Sequence, residues 1–386
     1  MVKNHNRIRR VGIFWLVCLL ALTAVLGLTV AINLKLNKII LNYADLGVPY
    51  ADIYTDERIN SRLADDLTVF DGRLYVGGGD YDANTGPVYV MSYDLEKGGW
   101  KKSNEPLPDE QIKRFRVLDS KLVTLGTDPK DSWDMGNYYV LEGGGWQTLR
   151  VLPSGIHCFD AIEYGDAVFF GLGVNSGDFP AVRFDGEKYV TVEFFKDGEL
   201  LDTSGNEIIR IYNFFEFKNS LFAFLTLDKK DENGEPLGYF MDLYVYDGEA
   251  FRYVSGSLPS EDMPDVATTE NTAYFVLNKT LLRTENLTEF SAVSLGEGTK
   301  VSDIITEDGK IYVLGWRKIN GSYFEAVVFE GGSGGFEKKF GLLAKATPGA
   351  FCKDGDTFYI SLGNRQNTEN IKDVGRVIKV VCDLKQ

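Results

Sequence analysis

LYVGGGDYDANTGPVYVMSYDLEKGGWKKSNEPLP, from Leu74 to Pro108, reads as consecutive short strands separated by turns. Leu74-Tyr75-Val76 is an apolar strand ended by three glycines, and a polar loop follows. The Tyr-rich run Val88–Tyr93 leads through a Gly-Gly turn to Trp100 and a Leu-Pro exit. Gly permits the positive φ of a tight turn, and Pro ends strand pairing.

The second strand of this unit recurs. Outward from Leu74, the anchors are LVTLG from Leu122, VFFGLG from Val168, LFAFL from Leu221, AYFVL from Ala273, IYVLG from Ile311 and TFYISLG from Thr357. Their spacings are 48, 46, 53, 52, 38 and 46 residues. Four strands every 40–50 residues or so is the length of a β-propeller blade. The expected fold is therefore all-β: one propeller, with seven four-stranded blades. Trp146 and Phe251 stand where Trp100 does, before the Leu-Pro exits at Leu152-Pro153 and Leu258-Pro259. Such aromatics are expected to wedge between neighbouring sheets. The last unit shows only three strands, so an N-terminal segment should complete it, and ADIYTDERI (Ala51–Ile59) lies in the right place.

The first unit resembles the kelch-like propellers through Gly78-Gly79, Tyr93, Trp100 and Leu107-Pro108. The Gly pair shrinks to Gly126 in the second unit and is lost in the fourth and fifth. The resemblance implies a fold and a binding role, not an activity. Copper radical oxidases on such rings need two His ligands; outside the N-terminal segment only His157 is present. Sialidase boxes of the type S-x-D-x-G-x-x-W are absent.

Val11 to Ile32 is 22 residues without a charge, enough for a helix crossing roughly 30 Å of hydrocarbon. Lys3, Arg7, Arg9 and Arg10 precede it and Lys35 and Lys38 follow. The expected layout is a cytoplasmic tail at 1–10, a single-pass anchor at 11–32, a linker at 33–50 and an extracytoplasmic propeller at 51–386. The chain's net charge of −15 becomes −21 once the six basic residues of the first 40 positions are set aside. That excess argues against nucleic acid as a partner. The three cysteines beyond the anchor are too few for a disulfide framework.

Eight residues before each anchor stand Asp66, Arg114, Asp160, Asn213, Asp265, Asp303 and Gly349. First strands line a propeller's channel, so these positions should ring one mouth. A repeated Asp there either accepts backbone N–H groups or forms a cation-attracting, hydrogen-bonding mouth. The second-to-third-strand loops should open on the same face. One of them, Asp80-x-Asp82-x-Asn84-x-Gly86, has oxygen ligands at the alternation a calcium site needs. Tyr81, Trp133, Phe179 and Trp316 lie in or beside these loops, where rings could stack on sugars or enter a partner.

The leading expectation is a membrane-anchored module that binds a protein or glycan through its acidic loop face. The alternatives are a two-carboxylate glycoside hydrolase at the mouth and a structural subunit of an envelope complex.

Overall fold

A computed structural model describes residues 19–20, 22–28, 39–40, 43–230, 233–259, 263–321, 323–363 and 372–382. Apolar runs dense in Phe, Tyr, Val and Ile form strands that bury both faces; every residue of Ala273–Leu277 is buried. All seven anchors fall on the second strand of an antiparallel run. The first unit pairs Asp66–Phe70, Arg73–Gly77, Met91–Asp94 and Trp100–Lys102 in sequence order. Its first turn, Asp71-Gly72, takes φ 45° and 69°, the positive values a tight hairpin requires.

The first strands neighbour one another in chain order. Asp66–Phe70 lies beside Asp109–Leu118, which is followed by His157–Tyr164, Ile209–Phe217, Asp265–Thr268, Lys300–Glu307 and Pro348–Asp354. Pro348–Asp354 returns to the side of Asp66–Phe70, so these strands close a ring. The apolar side chains collect between adjacent units. Tyr312, Phe340, Phe358 and Ile378 fill one such seam, and Phe224, Leu243, Phe275 and Leu277 another. This is a β-propeller: sheets packed face to face around a central channel.

The expected wedges are in place. Trp146 meets Tyr75 of the preceding unit edge-on at 6.1 Å. Phe251 packs on Phe169 of its predecessor at 6.3 Å. Trp100 reaches back to the last unit's outermost strand, donating its indole N–H to Leu46 O at 2.5 Å.

Ring closure departs from expectation. The last unit is completed by Ala44–Gly47, paired antiparallel with Arg376–Val381, and not by Ala51–Ile59. Within 51–59 the chain turns and enters the 3-10 helix Asp56–Arg62. Tyr50 and Tyr54, one helical turn apart, pack with tilted rings at 5.8 Å and are both buried. Tyr50 Oη lies 3.0 and 2.9 Å from the carbonyls of Val76 and Tyr89. Gly78 leaves the room, since a Cβ there would meet the Tyr50 ring at 2.6 Å. Helical spacing of two tyrosines thus overrides the strand-like look of the segment. Further upstream, Ile39–Ile40 adds parallel to the outer edge of Gly335–Ala344.

Residues 19–20 and 22–28 are helical, with Leu19, Leu20, Leu22, Val25, Leu26 and Leu28 exposed. The remainder of the expected anchor at 11–32, and the tail at 1–10, lie outside the described residues. Among the described residues no helix is long and apolar enough to cross a membrane. Cys158, Cys352 and Cys382 are free thiols.

Trp100→Phe removes the indole donor to Leu46 O and should cost about 1–2 kcal/mol in chemical denaturation. An unchanged midpoint would show that the closing strand is held without this bond.

Candidate functional site at the channel mouth

The first strands carry β-bulges near the mouth, with register shifts between Ile112 and Phe115, Ile211 and Phe214, and Pro348 and Phe351. A bulge leaves a backbone N–H unpaired. In each case an Asp from the preceding unit accepts it. Asp66 Oδ2 takes the N–H of Phe115 at 2.6 Å, Asp160 Oδ2 that of Phe214 at 2.8 Å, and Asp303 Oδ2 that of Phe351 at 3.0 Å. The other oxygen of each accepts the next N–H of its own strand, from Leu67, Ala161 and Ile304. These carboxylates stitch one unit to the next.

The remaining mouth positions behave differently. Arg114 is buried and reaches across the ring to donate to Asp265 Oδ1 at 2.9 Å and to Tyr212 O at 3.2 Å. It also lies 3.6 Å from Asp160, whose Oδ1 accepts from Arg116 Nε at 2.9 Å. Burial opposes the Arg114 charge, but Asp160, Asp265, Asp66 and Asp303 outweigh it and raise its pKa. Asn213 is buried with no partner for Oδ1. Gly349 has no side chain, and the adjacent Ala350 N–H goes to Ser361 Oγ at 2.8 Å. Burial pushes Asp66 up to about 6, against the Phe115 amide and Arg114. Asp303 is raised by burial and by the charge of Asp265. The channel forms a cavity of about 760 Å3. With three aspartates committed to backbone amides and Asp265 to Arg114, the ring presents structural carboxylates in place of a free acid–base pair.

Beside this ring lies a cluster that the sequence reading passed over. His157 pairs in register with both Thr127 and Gly173, and Gly173 pairs with Arg210, so strands of three units meet here. A Cβ on Gly173 would lie 2.7 Å from His157 Cδ2 and 3.0 Å from Phe159. Bare glycine lets those rings settle. Phe159 packs on His157 at 5.2 Å and on Tyr212 at 4.8 Å, and Tyr81 stands 6.0 Å from His157. Lys113 Nζ lies 4.6 Å from the Tyr81 ring centre, and the Arg210 guanidinium 5.8 Å from that of Phe159. Burial, reinforced by Arg210 and Lys113, lowers the His157 pKa to about 3, so the imidazole is neutral at ordinary pH. Its Nδ1 faces Asp128 Oδ1 at 3.9 Å without a hydrogen bond. Burial and Glu110 push Asp128 up to about 6, with Arg210 working against them.

The loop aromatics divide. Tyr81 belongs to this cluster, and Trp133 is 57% exposed. Phe179 stacks on Phe194 at 6.2 Å and serves the core. Trp316 is half-buried against Phe324 and lines a second cavity of about 270 Å3. In the loop read as a calcium site, Asp80 is buried, Asp82 is exposed, and Asn84 Oδ1 accepts from the Lys130 ammonium. Among the described residues no group of three or more His, Cys, Asp or Glu is arranged to hold a metal ion.

No protein-family model and no curated protein matches the chain. Solved structures share its fold. A chain of the crystal structure of BBS1N in complex with ARL6DN aligns with TM-score 0.50 and 11% identity, over 89% of this chain and 97% of that one. A polysaccharide lyase of family PL25, an ulvan lyase, gives 0.49 and 11% over 82% and 91%. The β-propeller domain of the Trilobed protease from Pyrococcus furiosus gives 0.45 and 8% over 78% and 91%. At such identities the likeness concerns architecture alone.

Asp109, fully buried within the second unit, accepts from Asn137 Nδ2 at 2.9 Å and from the Tyr139 hydroxyl, leaving Oδ1 without a partner. Burial raises its pKa from 3.8 to about 6. The native state then holds the proton more tightly than the unfolded chain, so this group withdraws stability as pH rises from 3.8 to about 6. The shift corresponds to about 3 kcal/mol. Asp109→Asn should therefore flatten the pH dependence of thermal stability over that window and raise the midpoint at neutral pH. Parallel wild-type and variant curves would show that Asp109 ionises without penalty.

Proposed function

We propose that this chain is a membrane-tethered β-propeller that binds a protein or glycan through its loop-bearing mouth. The observation that carries the reading is the distribution of exposed apolar side chains. Trp133, Leu237, Tyr239, Ile319 and Tyr323 are exposed in or next to second-to-third-strand connections of the second, fourth and sixth units, while Tyr43, Val117, Val190, Leu200, Leu343 and Val381 are exposed outside them. These connections open on the mouth face, where exposed apolar groups serve a partner. The channel carboxylates, engaged by amides and Arg114, favour binding over general acid–base hydrolysis. In this reading the ring has seven four-stranded blades of degenerate kelch-like repeat. Its support is the run of first strands around the channel, together with Gly78-Gly79, Tyr93 and Trp100 in the first blade.

The tether is the uncharged stretch 11–32, with basic residues before it and the propeller on the extracytoplasmic side. Full-length chain should stay with membranes through alkaline carbonate extraction; release into the supernatant contradicts an anchor.

A photocrosslinking side chain in place of Trp133 should capture partner material in native membranes. The same group in place of Lys121, at the opposite end of the unit, should capture none. Adducts from position 121 alone would sink the loop-face reading.

A further inference from the structure

Arg210 is unusual among the arginines of this acidic fold. Arg114, Arg116, Arg150, Arg317 and Arg376 each sit within ion-pair distance of a carboxylate. Arg210 is half-buried, and among the described residues its side chain makes one hydrogen bond, from Nη1 to the Tyr212 hydroxyl at 3.0 Å. Among the described residues it forms no ion pair. Asp128 acts on this half-buried guanidinium electrostatically without closing to an ion pair, and the fork of donors matches an oxyanion in two-point geometry. The Phe159 ring beneath it supports the charge from its face.

The surroundings add a second, independent feature. Tyr81 and Tyr212 are half-buried, and Phe159 and the neutral His157 form the floor between them. Rings of this kind accept the C–H face of a sugar. Lys113 stands over Tyr81 and supplies a second cation, and the two cations lie close enough to Asp128 to counter the charges of Glu110 and Asp82 there. Asp82 is exposed at the rim. The floor is built into the backbone, because register pairing of His157, Gly173 and Arg210 holds it across adjacent units.

We propose that this shelf binds an acidic saccharide, with the sugar's carboxylate or sulfate on Arg210 and its ring against the tyrosines. The inference rests on the loop-face reading and goes further by naming the ligand class.

The full-length chain in detergent can be titrated calorimetrically with three probes: tetragalacturonate, a carrageenan tetrasaccharide bearing sulfate alone, and neutral cellotetraose. The acidic probes should bind, and their ranking tells carboxylate from sulfate. Arg210→Gln should weaken binding by roughly tenfold or more, with Arg210→Lys intermediate because it keeps the charge and loses the fork. Tyr81→Ala, which leaves Arg210 in place, should also weaken it. Lys121→Ala, on the opposite face, should not. Thermal midpoints of the variants separate lost contacts from lost folding. The proposal is overturned if cellotetraose binds as well as both acidic probes, or if Arg210→Gln binds unchanged. Silence of both acidic probes at about 1 mM overturns it too. If crosslinking from position 133 persists in any of these cases, the ligand class has failed and the loop-face reading stands.

Discussion

Inner strands converge on the channel, and there the sheet can no longer satisfy every backbone group. Bulges at Phe115, Phe214 and Phe351 free N–H groups inside the molecule, and a buried amide without a partner is costly. Asp66, Asp160 and Asp303 answer that need from the neighbouring unit. One carboxylate thus fixes the spacing of two sheets, and the aromatic seams behind it follow. The arrangement also sets the chemistry of the mouth. Asp66 is pushed up to about 6 by enclosure, and Arg114 is held among four acids.

The same register separates the stitching positions from the cluster beside them. The stitching Asp is one residue past Asp65, Phe159 and Ser302, and the corresponding positions in the second and fourth units are Lys113 and Tyr212. Three residues before the mouth position stand His157 and Arg210. At the ring positions Asp66, Asp160 and Asp303 turn to the backbone of the next unit, while His157, Phe159, Tyr212 and Lys113 just upstream gather beside the ring. Acidity at the ring is accordingly divided between backbone amides, at Asp66, Asp160 and Asp303, and the Arg114 guanidinium, at Asp265.

Much of this was legible in the sequence, and the exceptions are instructive. Every second-strand anchor was readable, because strands buried on both faces are continuous apolar runs. Trp100, Trp146 and Phe251 were readable as wedges, since a large ring after a Gly turn has few other places to go. The closing strand was misread. Ala51–Ile59 has apolar residues at strand-like intervals, but Tyr50 and Tyr54 find more burial as one helical turn. The cluster around His157 went unseen, because its members come from four units and no local pattern joins them. The only available signal was the reading of positions upstream of each mouth residue as a set.

By itself the sequence determined the repeat period, the alternation of strand and turn, the wedge aromatics and the partition of charge between the N-terminal segment and the ring. These are local properties, set by which residues can bury and which can turn. Tertiary structure alone decided which strand closes the ring, which aspartates are committed to amides, and that Arg114 meets Asp265 across a sequence separation of 151 residues. Those outcomes depend on which inner strands become neighbours once the ring closes, and on the backbone groups that closure leaves to be satisfied.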